Sequence, residues 1–170
     1  MVLSRNMLFL DNKKAFMDLI TAIKTCFKKY FVFKGRAKKS EYWWFFLFCI
    51  LAGTVTAFLD VVVLGYAWAQ YGPINTIVNL ILIIPILSAG ARRLHDTNKS
   101  GWWQLLGLIG LAISYYQKDM LTKGLITSSY FILSFLALGT YILLIVWLAS
   151  KGEKKKNKYG APIIIKSQRN

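Results

Sequence analysis

Carboxylates are scarce in this 170-residue chain: 7 Asp and Glu stand against 22 Lys and Arg, for a formal net charge of +15. There is 1 histidine, and the 2 cysteines, Cys26 and Cys49, have no CxxC or HxxE companion. So small a stock of ligands argues against a metal centre, and neither a metal nor a cofactor is expected. No nucleophile elbow, phosphate loop or carboxylate pair is present, so no catalytic residue is assigned and the chain reads as no enzyme. Cys26 falls in a basic segment and Cys49 in an apolar run, so no disulfide is expected. Apolar residues, by contrast, abound. Hydrophobic residues make up 56% and aromatics 15%, which excludes disorder and leaves a soluble domain with more apolar surface than it can bury. The chain reads as a small polytopic membrane protein.

The charges locate the spans. None occurs in Tyr42–Leu59, Val61–Ala91, Gly101–Gln117 or Leu125–Ser150. About 20 apolar residues cross a bilayer core. These gaps predict an all-α membrane protein with four transmembrane helices, over about 43–64, 74–91, 102–117 and 128–150. Tyr71-Gly72-Pro73 breaks the second gap ahead of its span. The third gap is the shortest, and Trp102-Trp103 and Tyr115-Tyr116 at its ends fit interfacial aromatic belts. Four spans place 20 of the 22 basic residues on one face, with Lys118 and Lys123 opposite. By the positive-inside rule the crowded face is cytoplasmic, so both termini are expected in the cytoplasm of a bacterial inner membrane. The basic excess is thereby explained without nucleic acid, and none is expected as a partner. Met7-Leu8-Phe9-Leu10 is too short for a signal-peptide core, so the first span is expected to act as an uncleaved anchor.

Ahead of the spans, Phe16, Leu19, Ile20, Ile23, Phe27, Tyr30 and Phe31 recur at helical spacing, with lysines on the rest of the wheel. An interfacial amphipathic helix over about 12–31 is expected. Such a helix packs under the bundle, holds anionic lipid through its lysines, or does both. Cys26 on it reads as a silent small residue, with palmitoylation the alternative. Three units follow: an interfacial segment 1–32, a transmembrane domain 33–150 and a basic tail 151–170.

Two polar clusters exceed what topology demands. Phe33-Lys34-Gly35-Arg36-Ala37-Lys38-Lys39-Ser40-Glu41-Tyr42-Trp43-Trp44 enters the first span. Ala91-Arg92-Arg93-Leu94-His95-Asp96-Thr97-Asn98-Lys99-Ser100-Gly101-Trp102-Trp103 joins the second to the third. With Asn157-Lys158-Tyr159-Gly160, these segments resemble the signature of the domain-of-unknown-function 805 family, small bacterial inner-membrane proteins of YhaH type. The resemblance covers about residues 14–162. In this chain Lys38 and Lys39 replace arginines, Asn98 stands where the family favours glycine, and Ala161 separates Gly160 from Pro162. The resemblance implies a fold and a membrane address, not a reaction.

Within the clusters, Ser40 and Ser100 are positioned to cap the helices they precede, and Glu41 suits the first turn of a helix. Asn98 suits a left-handed turn. Lys-Ser ahead of paired tryptophans occurs twice, which fits either a repeated hairpin or the common needs of any inward-starting span. His95 and Asp96 read as residues that order the short loop, set against a metal or proton-handling pair. Glu41 is expected to pair with Arg92 or Arg93. Arg36, Arg92, Arg93 and Lys99 are an ensemble suited to a lipid phosphate. The candidate lipid- or partner-binding set is therefore Arg36, Lys39, Glu41, Arg92, Arg93, His95, Asp96, Lys99, Trp102 and Trp103.

Inside the spans, Asp60 lies 17 residues beyond Trp43, about 26 Å along a helix, and reads as an outer-boundary residue or else an ion site. Pro85 is expected to kink its helix. Gly53-x-x-x-Ala57 and Gly110-x-x-x-Ser114 are small-residue faces for close packing. The leading expectation is an inner-membrane protein, not an enzyme, whose basic face binds anionic phospholipid or an acidic protein partner. The competing expectations are a small transporter or channel subunit working as a homo-oligomer, and an intramembrane enzyme using His95 and Asp96.

Overall fold

The computed structural model describes residues 18–65, 72–124 and 128–163. Its architecture is all-helical. A short helix α1 (Leu19–Lys28) precedes α2 (Lys39–Leu64), α3 (Pro73–Asp96), a 3-10 turn (Gly101–Gln104), α4 (Leu105–Thr122) and α5 (Ser128–Ala149). Among the described residues the only β pairing is an isolated bridge between Asn157 and Gly160.

Three of these helices, α2, α3 and α5, are long and apolar enough to cross a membrane. At 1.5 Å per residue they reach about 39, 36 and 33 Å, against a hydrocarbon core of about 30 Å. The third expected span begins as the 3-10 turn and continues in α4, which carries Lys118 and Asp119 near its end and runs to Thr122, past the expected 117. The apolar side chains of α2 and α5 are largely exposed, as lipid-facing surfaces are.

The helices form two antiparallel hairpins. In the first, α2 and α3 meet closely where Gly53 lacks a side chain: Asn75 Nδ2 donates to the Gly53 carbonyl at 2.7 Å and to Thr56 Oγ1 at 3.0 Å. In the second, Gly110 of α4 faces Tyr141 and Thr140 of α5, and a methyl group there would stand 2.7 Å from the tyrosine ring. Both glycines therefore sit where helix meets helix, while Ala57 and Ser114 of the same small-residue motifs are exposed. Gln117 closes the far end of this hairpin, donating to Tyr130 O at 2.9 Å and Ser134 Oγ at 2.7 Å.

Asp60 explains the far end of the first hairpin. Gly72 begins α3 in a left-handed conformation and has no side chain to cap it. Asp60, 1% exposed on the last turns of α2, takes the amides of Ile74 and Asn75, each at 2.9 Å. A carboxylate at a helix N-terminus satisfies orphan donors and complements the dipole. Asp60 is thus a cap supplied by the neighbouring helix.

Several expected boundaries shift. Residues 12–17 of the expected interfacial helix lie outside the described residues, and α1 itself begins after Asp18, whose carboxylate caps it at Thr21 N. The fully buried residues of α1 are Ala22 and Cys26, whose small side chains allow close approach to α2 and α3, while Ile23 packs against the core and Phe27 lies edge-on to Phe45 and Phe48. Ile20 and Phe31 stay exposed. Helix α2 starts four residues before the expected 43, with Lys38 as its N-cap residue and Ser40 inside the first turn, so Ser40 is not the cap. Ser100 does cap, accepting from Trp102 N at 3.4 Å. Helix α3 runs unbroken through Pro85 and past the expected 91, so Arg92 to Asp96 lie on a helix rather than in a loop. Asn98 takes the left-handed conformation, with φ of 59°.

Candidate functional site

The C-terminus of a helix leaves carbonyls without in-helix donors. At the end of α3 several carbonyls are served by distant parts of the chain. Ala37 N donates to Arg92 O at 2.9 Å, Asn157 Nδ2 to His95 O at 3.0 Å, and Glu153 N to Asp96 O at 2.9 Å. Lys99 N closes on Leu94 O at 2.9 Å. The segment before α2 and the segment after α5 therefore meet on the last turn of α3.

Side chains reinforce this junction. Asp96 receives two guanidinium groups, Arg36 through Nε at 2.8 Å and Arg93 from one turn back. Arg36 also donates to the carbonyls of Lys155, at 3.0 Å, and Glu153. Arg93 reaches across to the end of α5, with Nε 2.9 Å from Leu148 O and a terminal nitrogen on Ser150 O. Arginine suits these positions because its planar fork serves several acceptors at once and stays charged when buried. On the other side of α3, Arg92 pairs with Glu41 in the first turn of α2, and both are all but excluded from solvent.

His95 is held as a structural residue. Its ring stacks on Tyr159 with centroids 3.8 Å apart and planes 7° from parallel, and Nδ1 is 3.1 Å from Gly35 O. Asn157 and Gly160 exchange backbone hydrogen bonds, each 3.1 Å, so Tyr159 is presented on a tight turn. Among the described residues no group of three His, Cys, Asp or Glu side chains gathers as for a metal.

The ten candidate residues therefore divide. Arg36, Arg93 and Asp96 form one buried cluster, Glu41 and Arg92 a separate buried pair, and His95 docks the tail. Lys99 stands apart from the arginines, 4.9 Å above the ring of Trp147, against which Trp103 also packs edge-on at 5.3 Å. Trp102 is 78% exposed on the 3-10 turn. Lys39 lines a cavity of about 950 Å³ between the start of α2 and the segment after α5. Lys38, Lys151 and Lys154 share that cavity, and sequence reasoning passes over them because their meeting depends on the tail folding back. Asn157 and Tyr159 stand in the sequence as a motif whose role only the fold reveals.

The three segments that converge here are those that carry the resemblance noted above. The family described as "Protein of unknown function (DUF805)" matches residues 30–161. The chain belongs to this family. It is 39% identical over 82 residues to the inner membrane protein YhaH of Escherichia coli strain K12, covering 48% of this chain and 68% of that protein. It is 35% identical over 79 residues to the inner membrane protein YhaI of the same strain, covering 46% of this chain and 64% of that one. No solved structure matches. Family membership, these inner-membrane relatives and three apolar helices make this chain a membrane protein.

Proposed function

We propose that the protein is a non-enzymatic inner-membrane bundle of four spans, with both termini cytoplasmic and a basic cytoplasmic face that holds anionic lipid or an acidic partner. One observation supports it above others. The chain stretches 33–41, 92–101 and 150–160, which carry most of the described basic residues, meet at one end of the two hairpins. Lys118 and Lys123 lie toward the opposite end, where Asp119 holds Lys123 at 2.7 Å. This separation is what the positive-inside rule requires of α2, α3, α4 and α5 all crossing. The absence of an enzymatic role is supported by the use of His95 as a stacking group and of Asp96 and Glu41 as ion-pair partners.

Topology is tested with reporter fusions after Ser100, Gly124 and Asn170. Green fluorescent protein is expected to be bright after 100 and 170, and alkaline phosphatase active after 124. A fluorescent fusion at 124 means that α4 does not cross. The lipid reading is tested by native mass spectrometry of the detergent-purified protein, in which bound phosphatidylglycerol is expected to outlast phosphatidylcholine. Equal loss of both removes lipid from the proposal and leaves the acidic partner.

A second reading, an oligomeric transport subunit, draws support from Asn79. This amide is exposed on α3 beside the exposed Ile77, Leu80 and Ile83, with its Nδ2 on Asn75 Oδ1 at 2.6 Å. A polar side chain on a lipid-facing surface finds its best partner in another helix, and one amide pairs well with the same amide of a second copy. Asn79→Leu is expected to convert an oligomer to monomer; a monomeric parent removes this reading.

A further inference from the structure

The cavity between the start of α2 and the segment after α5 combines an excess of positive charge, a rim of lysines and an apolar wall. Its lining carries six cations, Arg36, Lys38, Lys39, Arg93, Lys151 and Lys154, against two carboxylates, Asp96 and Glu153. The two guanidinium groups at its base share the single carboxylate of Asp96, so positive charge is left over even there. Among the described residues the side chains of Lys38, Lys39, Lys151 and Lys154 make no hydrogen bond or ion pair, and Lys39, Lys151 and Lys154 are exposed. The remaining wall is apolar, from Trp43 and Leu47 on α2 to Pro162 and Ile163 on the tail.

Position adds to charge. The lysines sit where the charged segment ends and the uncharged run from Tyr42 begins, which is the depth of the phosphate layer for a helix that crosses. An occupant must present a phosphate or carboxylate to the rim and an apolar body to the tryptophan and isoleucine. A soluble anion uses only the first feature and an apolar ligand only the second. The volume of about 950 Å³ accommodates a glycerophosphate headgroup with the beginnings of its acyl chains.

Resting on the lipid reading above, we propose that this groove is a seat for one anionic phospholipid, with Lys38, Lys39, Lys151 and Lys154 around the phosphodiester and Trp43 and Ile163 against the glycerol and upper acyl chains. The arginines of the two central motifs do not contact the phosphate as primary ligands. They shape the floor by holding the tail on α3, and the lysines of the rim recognise the headgroup. Lysine suits this role because it acts as a flexible point charge that tolerates headgroups of different shape.

The test titrates dioleoyl phosphatidylglycerol into the full chain in neutral detergent and follows binding by native mass spectrometry. Three proteins are compared: the parent, a variant with Lys38, Lys39, Lys151 and Lys154 changed to Gln, and a charge-matched control with Lys24, Lys28, Lys155 and Lys156 changed to Gln. The groove variant is expected to lose at least tenfold in affinity, and the control less than threefold. A second variant, Ile163→Glu, is expected to weaken binding while leaving all four lysines in place. Tryptophan-monitored melting checks that each variant is folded, and because all the altered lysines but the half-buried Lys38 are exposed, the lysine variants are expected to melt close to the parent.

If the parent shows no preference for phosphatidylglycerol over phosphatidylcholine, the lipid reading and this site fall together. If the parent has the preference and the groove variant keeps it, only the site is overturned. Equal losses in groove variant and control mean diffuse attraction to the whole basic face, which also overturns it. Displacement of the lipid by equimolar glycerol 3-phosphate or by a poly-glutamate peptide shows that the apolar wall contributes nothing and assigns the groove to a soluble anion or an acidic protein instead.

Discussion

Tyr30 donates its hydroxyl to the carbonyl of Ile81 at 2.5 Å, and Ile81 is four residues before Pro85. Proline has no N–H, so the carbonyl four residues back loses its in-helix donor. In an apolar helix that loss is severe, because no water is at hand to replace the bond. Beside it, Ser88 Oγ contacts both Pro85 O, at 3.0 Å, and Lys29 O, at 3.1 Å. The chain leaving α1 is therefore fastened to α3 at the turn that Pro85 leaves incomplete.

The fastening predicts a specific coupling. Tyr30→Phe removes the donor and is expected to lower stability by about 1–3 kcal/mol, the usual cost of an unsatisfied buried acceptor. In a Pro85→Ala background the alanine supplies the missing N–H, and the same Tyr30→Phe change is expected to cost much less. A double-mutant cycle on unfolding in mixed detergent and dodecyl sulfate measures this. Additive effects would show that the hydroxyl and the proline are independent.

Glu41 and Arg92 carry the second prediction. Both are nearly solvent-free, with side chains 4% and 1% exposed, and Arg92 keeps Nε and one terminal nitrogen unpartnered among the described residues. Removing one member of a buried pair strands the other charge, at a cost of about 3–5 kcal/mol. Glu41→Gln is therefore expected to reduce the folded yield of a fluorescent fusion sharply on size exclusion. The double replacement Glu41→Leu with Arg92→Met leaves no stranded charge and is expected to recover most of that yield. Unchanged yield for Glu41→Gln alone would show that the pair contributes little.

The helical class, the apolar segments and this ion pair were legible in the sequence for one reason: each rests on local pattern or on strong charge in an apolar setting. Glu41 just before a long uncharged run needs a cation, and the nearest basic residues at the same membrane depth are Arg92 and Arg93. The left-handed turn at Asn98 and the cap at Ser100 were legible for the same local reason. What was hidden depends on distant strands of chain meeting. Asp60 caps a helix that begins 13 residues later, and no spacing rule connects a carboxylate to amides on another helix. The role of Asn157 and Tyr159 depends on the tail returning to α3, and so does the lysine rim of the groove. The burial of Ala22 and Cys26, while Phe31 beyond α1 stays exposed, likewise depends on the close approach of α1 to the bundle. In a membrane protein large apolar residues gain nothing by turning inward, so size rather than polarity decides which face packs.

Cys26 supplies a chemical test of that packing. It is fully buried against the bundle, and burial, with Glu41 nearby as a lesser cause, pushes its thiol from 9.0 up to about 12. The reactive species is the thiolate, which at pH 8 would be about one part in ten thousand of such a group. In a Cys49→Ser background, maleimide is expected to leave Cys26 unlabelled for hours in mild detergent and to label it within minutes after unfolding. Raising the pH toward 12 is expected to increase the native rate. Rapid labelling at pH 7 would mean that α1 leaves the bundle readily, and would reopen acylation at this residue.

Asp60 separates a structural carboxylate from a transport one. As a cap it accepts two amides, from Ile74 and Asn75, at 2.9 Å each. Asparagine keeps one acceptor oxygen and the shape, and is itself a good capping residue, whereas alanine leaves both amides bare. The expected order of stability is parent, then Asp60→Asn, then Asp60→Ala, with the alanine variant down by about 1–2 kcal/mol. A carboxylate on an ion path would give a different pattern. There the charge itself is the function, so Asp60→Asn would abolish ion flux into proteoliposomes while melting like the parent. Unfolding curves and a flux assay on the same three preparations distinguish the two roles, and the paired amides predict graded stability for Asp60.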